Sequence, residues 1–493
     1  MKVKIILFFA LLSAAANGQV RQPHSLYFLE TIPQVSQMNP AFQPRVNSYV
    51  MVPNGNIDFL SDLAVKDILQ KQGNRWYTPV EKQYSYNKLH KSIGKKATMF
   101  NVGADLDILG FGFRAGNGYF SFGISEHAIG NFALPSDLFK ITDKGFPDNT
   151  NLDFSPLRVQ GIVYKQFLIG YSTKVDDRLS IGVNVKPLSG QFAVATKIDR
   201  FKLQTGKEQW ELDARGNVYS SLPIEEVIID AEGKIKDINF RDVKDYEIMD
   251  WVRKYGTTLN NLGIALDLGA AYQINERLAV SASLNNLGFI SWKEDLNGIT
   301  FDGKYTFNGL HYDTSKDDDL GDLLSNLADS IADALNYTVH HDKFKTMLPP
   351  VFNAGATYQL SRAVSAGFLS RTTFWQKGIR QSFNASVNLQ PYSFVSLNAG
   401  ATWQVKGNLS VGGGFMFLIG PMQLYLLVDV PVRYSALTIN DKRLEIDLFN
   451  KKRPIPIPEH MKFVTGRLGL NFVFGRHGYV NKPMLDKGRS SWN

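Results

Sequence analysis

The sequence predicts an all-β chain, a transmembrane antiparallel β-barrel of about fourteen strands. Three observations predict it. Alternation of apolar and polar residues recurs along the chain, the start has the order of an export signal, and beyond that start no run approaches the ~20 apolar residues a spanning helix requires. The last alternating stretch, Lys462 to Gly475, puts Val464, Leu468, Leu470, Phe472 and Phe474 on one face. Thr465, Arg467, Gly469 and Asn471 take the other. One oily face and one polar face suit a water-soluble sheet or a membrane barrel with its polar face inward. Repetition and export favour the barrel.

The first residues, MKVKIILFFALLSAAANGQV, place Lys2 and Lys4 before the apolar run Ile5–Leu12 and the small residues Ser13–Ala16. That order predicts a secretory signal peptide over 1–18, cleaved near Gly18–Gln19. The chain has no cysteine, which excludes a lipid-anchored export signal, disulfides and thiol chemistry. Mean hydropathy is −0.16, a value a barrel shares with soluble proteins because only alternate residues meet lipid. The 33 Phe, 20 Tyr and 41 Gly suit aromatic girdles and tight turns. The net charge of +8 is scattered rather than clustered. With export it argues against nucleic acid and for weak attraction to outer-membrane lipid head groups.

Along the chain, residues 19–45 show no alternation and form a candidate plug or periplasmic lead-in; 46–475 form the barrel; 476–493 form a polar, basic periplasmic tail. A first strand over Asn47–Phe59 is interrupted at Pro53-Asn54-Gly55, and Leu60–Gln70 has helical spacing. From Thr98 the alternation settles, with Gly103, Asp105 and Asp107 on the polar face and a phase shift at Leu109 that predicts a β-bulge. Gly116-Asn117-Gly118 predicts a tight hairpin. Glu126-His127 is read as the end of the returning strand. Strands then follow over 157–174, from 179, over 262–273 and from 278, and seven more fill 350–475.

Short turns near 115–117, 175–177, 274–277, 360–362, 391–392 and 420–421 fall at one end if the first strand runs outward. The long segments 60–97, 128–156, 201–261, 291–349 and 435–461 then fall outside, as in outer-membrane barrels of Gram-negative cells. Sixteen strands would result if Phe192–Leu203 and Gln209–Ser220 entered the membrane; the expectation is a hairpin above it.

Met38-Asn39-Pro40-Ala41 resembles the Asn-Pro-Ala element near the mature start of long-chain fatty-acid transporter (FadL)-type barrels. Leu179–Leu188 is similar to a strand of that superfamily, and Leu284–Trp292 and Leu348–Tyr358 resemble an uncharacterised family of barrels related to it. The resemblance implies about fourteen strands and a lumenal plug; no ligand residues carry over. Arg467, Gly469, Phe472 and Phe474 resemble the signal by which the barrel-assembly machinery recognises a last strand, although this chain continues past it.

Candidate lumen-facing polar residues are Arg158, Lys186, Asp267, Asn285, Asn398 and Asn471. No catalytic, cofactor or metal site is expected. His340-His341 lacks further ligands at suitable spacing, and the acidic loop Asp313, Asp317, Asp318, Asp319 is read as a cap for an amphipathic helix over Leu320–Leu335. No serine-hydrolase motif singles out a nucleophile. The expected function is non-enzymatic: binding or passage of a small hydrophobic ligand across the outer membrane. The alternative is an accessory or scaffold barrel with an envelope protein partner in a secretion or assembly complex.

Overall fold

In the computed structural model, fourteen antiparallel segments pair edge to edge until the last meets the first. The structure describes residues 23–72, 75–77, 84–139, 148–222, 224–229, 235–240, 261–308, 337–375, 378–405, 409–432, 436–438, 445–448, 451–454, 456–458 and 462–476. The expected signal peptide, the helix over Leu320–Leu335 and the tail from 477 lie outside them.

The main sheet includes β1 (Val46–Met51), β2 (Asn54–Ser61), β3 (Ala97–Ala115), β4 (Gly118–Pro135), β5 (Arg158–Lys174), β6 (Leu179–Gln204) and β7 (Gln209–Ser221). They continue as β8 (Leu262–Gln273), β9 (Leu278–Trp292), β10 (Leu296–Asn308), β11 (Tyr337–His340), β12 (Phe344–Met347) and β13 (Val351–Gln359). The series ends with β14 (Val364–Trp375), β15 (Gly378–Tyr392), β16 (Val395–Gln404), β17 (Leu409–Ile419), β18 (Met422–Pro431) and β19 (Phe463–Arg476). β1 and β2 are one wall segment broken at Val52-Pro53, where proline cannot donate to the ladder. They pair with β3 on one side and β19 on the other, which closes the barrel. The expected phase shift appears as a register irregularity between Asp107 and Leu109.

Burial is inverted relative to a soluble protein. Arg467 on β19 is 2% exposed, and its neighbour Leu468 is 60% exposed. The same inversion repeats around the wall: Asn184, Asp267, Asn353, Thr402 and Asp429 are buried, and Ile181, Leu268, Phe352, Val411 and Phe415 are exposed. Water would penalise such an outer surface, whereas hydrocarbon would not. On that surface aromatic rings pair across strands, as Phe111 with Phe122 (4.9 Å) and Phe383 with Trp403 (5.8 Å). Among the described residues no helix is long and apolar enough to cross a membrane.

One end of the wall has only short turns. Gly116 and Gly420 supply the positive φ these turns need, at 58° and 59°. At two others a side chain caps the turn. Asp176 Oδ1 accepts from the backbone N–H of Arg178 (2.7 Å) and Leu179 (2.8 Å), and Asn275 Oδ1 from those of Arg277 and Leu278 (both 2.9 Å).

At the opposite end β6 outruns its neighbour. Leu179–Ser189 pair with β8, then Ala193–Gln204 pair with β7. The expected hairpin is therefore present beyond the fourteen-strand wall, but it does not stand alone. β10, in a segment read as loop, pairs with β7 along its length and carries β11 on its far edge. This projecting sheet buries Trp210, Leu212, Leu203 and Phe301 on one face against Leu152 and Phe154. Its other face carries the ion pairs Arg200–Asp213 (2.7 Å) and Lys304–Glu211 (3.1 Å). Two shorter expectations also change. Strand β4 continues past Glu126-His127 to Pro135, and the helical spacing of 60–70 yields only the turn Val65–Ile68 after β2.

Candidate functional site

The space inside the wall is where polar side chains converge, and residues 23–45 occupy much of it. Two 3-10 turns, His24–Phe28 and Pro33–Gln37, precede the Asn39-Pro40-Ala41 step. Leu26, Tyr27, Ile32 and Val35 are fully buried and share one apolar cluster with wall residues such as Leu369, Met416 and Tyr425. The segment's polar atoms are met by the wall. Tyr27 Oη lies 2.8 Å from Ser281 Oγ, and Gln423 Nε2 donates to Thr31 O (2.8 Å). Gln34 and Asn471 exchange amide hydrogen bonds of 2.7 and 3.0 Å. Asn285 Nδ2 donates to the carbonyls of Gln37 (2.9 Å) and Met38 (3.2 Å).

The Asn39-Pro40 step lies on a pair of glycines. Gly182 and Gly269 face each other on β6 and β8, and a Cβ on either would overlap Asn39-Pro40-Ala41. Asn39 fixes its own turn by accepting from the Ala41 N–H (2.9 Å), and its amide donates to the carbonyls of Ala270 and Ala282. Gly355 and Gly367 likewise leave room for the rings of Tyr27 and Phe28.

Beyond Met38, toward the long-loop end, lies a cavity of about 100 Å³. Asp105, Asp107, Lys186 and Arg371 line it, and Ile129, Leu168 and Val351 supply an apolar wall. Ile129 and Tyr164 continue from it into an apolar cluster with Ile162, Leu188, Ile290 and Trp292. Trp292 Nε1–H donates to Thr346 Oγ1 (2.9 Å), so the indole's polar edge is satisfied.

The charges come in supported sets. Lys186 Nζ is 2.6 Å from Asp267 Oδ2, on a carboxylate that is wholly buried. Asn184 Nδ2 donates to the same carboxylate (3.1 Å), as does the Asn286 N–H (2.8 Å), whose residue sits at φ 62° in a bulge of β9. Such extra hydrogen bonds are what a buried ion pair needs to offset desolvation. Arg467 Nη2 meets Asp107 Oδ2 (2.5 Å) and Gln37 Oε1 (3.1 Å), and its Nε–H donates to Tyr425 Oη (3.2 Å).

Lys186, Asp267, Asn285, Arg467 and Asn471 are thus all buried inside the wall. Asn398 is buried too but donates to Asn388 Oδ1 (2.5 Å), away from the cavity. Arg158 sits apart at the long-loop end, half-buried, donating to the carbonyls of Ser155 and Leu157. On β19, Gly469 faces inward, where a Cβ would overlap Asn54 and Tyr425, and Phe474 faces out.

The sequence reading missed one constellation. His127 Nδ1 is 2.6 Å from Asp105 Oδ1, and its Nε2 is 2.9 Å from Ser125 Oγ. Asp105 lies on the expected polar face, whereas the sequence reads His127 as a strand end. The signal was available: with Ser121 inward, the residues at 123, 125 and 127 must share that face. The expected histidine pair is not brought into such a set. His340 Nδ1 is 3.3 Å from Asp342, and His341 Nδ1 is 2.6 Å from Leu296 O. No cluster of three His, Cys, Asp or Glu suited to a metal occurs among the described residues.

Fourteen closed strands and lipid-facing apolar residues define a transmembrane β-barrel, and residues 23–45 lie inside its wall. The chain belongs to the family described as a family of unknown function, DUF5723, whose model matches residues 40–429. No curated protein matches the chain. Among solved structures it is similar to the toluene transporter TodX of P. putida, with 9% identity, a TM-score of 0.43, and coverage of 91% of this chain and 95% of that one. It is also similar to the toluene transporter TbuX of Ralstonia pickettii (9%, 0.42, 89% and 93%) and to a FadL homologue of Pseudomonas aeruginosa (12%, 0.40, 94% and 96%). At these scores the likeness adds nothing to the strand pairing, which defines the barrel by itself.

Proposed function

We propose that this protein is an outer-membrane barrel that binds a small hydrophobic ligand and passes it across the membrane, with residues 23–45 as its stopper. The supporting observation is the two-sided cavity beyond Met38. An apolar wall inside a polar lumen faces no lipid, so its exposure to lumen water is a cost that an apolar ligand relieves. The charged side, with Asp105, Asp107, Lys186 and Arg371, would orient a polar end. The apolar cluster from Ile162 to Trp292 continues that wall toward the long-loop end.

The test is a thermal-shift screen of the purified barrel in detergent against fatty acids and small aromatic hydrocarbons, followed by uptake into vesicles. A ligand at 100 times its Kd should stabilise the barrel by about 2.7 kcal/mol. No shift across the panel and no ligand-dependent uptake would sink the reading. A scaffold role is the second reading, supported by the charged outer face of the projecting sheet. A stoichiometric envelope protein recovered from native membranes, together with a flat ligand screen, would favour it.

A further inference from the structure

We propose that Ser125, His127 and Asp105 form a nucleophile, base and orienting carboxylate that hydrolyse small esters inside the lumen. Ser125 and His127 are two residues apart on β4 and so project to the same side. Asp105 on β3 is the direct cross-strand partner of His127. Its Oδ1 lies 2.6 Å from Nδ1, which puts the ring proton there and leaves Nε2 as an acceptor, 2.9 Å from Ser125 Oγ.

The set is held from several sides. Asn56 Nδ2 donates to Asp105 Oδ2 (3.3 Å), and the Tyr164 ring stacks on the imidazole at 4.9 Å and 18°. The Gln166 amide donates to Ser125 Oγ (3.3 Å) and is the group able to turn an N–H toward a carbonyl oxygen as charge develops on it. A hollow of about 20 Å³ at Ser125 adjoins the cavity of about 100 Å³ at His127, and Gln166 and Leu168 line both. That space suits a short acyl group. Besides Asp105, the charged or titratable groups around His127 include Glu126, Asp107, Tyr164, Lys186 and Arg371.

Ser125 Oγ bonds to the ester carbonyl carbon as its proton passes to His127 Nε2. The carbon–alkoxy bond then breaks, and the alcohol leaves with that proton. Water attacks the acyl-serine through the same base, releasing the acid and restoring the hydroxyl. A second arrangement, Ser382–His24–Asp429, has similar contacts (both 3.1 Å). There the same carboxylate oxygen also takes the His24 backbone N–H (2.9 Å). It serves as an anchor for the N-terminal segment.

The experiment treats the full-length barrel, purified in detergent, with a fluorophosphonate probe and maps the adduct by mass spectrometry. p-Nitrophenyl acetate hydrolysis is followed in parallel as a function of pH. One adduct on Ser125 is expected, together with hydrolysis of the ester. Ser125→Ala should abolish both while keeping the heat-modifiable gel migration of a folded barrel. Asp105→Asn should slow hydrolysis on the order of 10³–10⁴-fold and change the pH profile; Ser382→Ala should change neither. No adduct in the native chain, an adduct elsewhere, or hydrolysis that survives Ser125→Ala overturns the proposal. Ligand-dependent stabilisation is expected to persist in Ser125→Ala, so this idea and the transport reading fail separately.

Discussion

Arg467 and Asp107 meet across an intervening strand. Their strands, β19 and β3, pair with β2 rather than with each other. The guanidinium nevertheless reaches over β2 to within 2.5 Å of the carboxylate, with both groups buried. The contact therefore bridges the seam where the barrel closes.

Removing one partner leaves the other charge buried. Asp107→Ala should cost about 3–5 kcal/mol. The paired change Asp107→Leu with Arg467→Met should recover most of that loss, since it removes both charges. Urea unfolding in phospholipid vesicles measures the difference; a double variant no better than the single one would show that packing, not charge, holds the seam.

Gly182 and Gly269 make the bed for the Asn39-Pro40 step. Gly182→Val should lift that step off the wall while the outward face stays unchanged. The expected readout is a rise in single-channel conductance in a planar bilayer and new protease sensitivity within residues 23–45. Unchanged conductance would mean that the segment does not close the lumen.

Phe415 is exposed on β17, where a soluble protein would tolerate a charge within about 0.5 kcal/mol. Facing hydrocarbon, Phe415→Arg should cost about 2–4 kcal/mol near the midplane. Unfolding measurements in vesicles decide between the two figures.

The Asp176 turn gives a pH effect of known sign. The N–H groups of Arg178 and Leu179 hold its carboxyl below the usual range. A folded value below the unfolded one stabilises the turn above the unfolded value, and the effect is lost as pH falls through the folded one. Asp176→Asn keeps an acceptor oxygen but no titration. Its unfolding midpoint should therefore change less than that of the native chain between pH 6 and pH 2.

Alternation made most wall strands legible, because it is a local property of each stretch. Glu126 misled for a nonlocal reason. It falls on the outward face, which a lone carboxylate would not occupy in a membrane strand. Lys165 on β5 lies 3.5 Å away, and Gln191 donates to both of its oxygens at 3.1 Å. These partners are 39 and 65 residues distant, so the sequence alone reads β4 as ending at Glu126-His127. β10 was missed because Asn297, Gly298, Asp302 and Gly303 punctuate it like a loop, and only its pairing with β7 makes it a strand.

By itself the sequence determined which face of most wall strands is oily and where the short turns fall, since periodicity and turn chemistry act over a few residues, and it left fourteen and sixteen strands both open. Tertiary structure alone decided what fills the lumen and which charges meet there. Asp105 and His127, or Arg467 and Asp107, become neighbours only through strand register, and register is fixed when the whole sheet closes on itself.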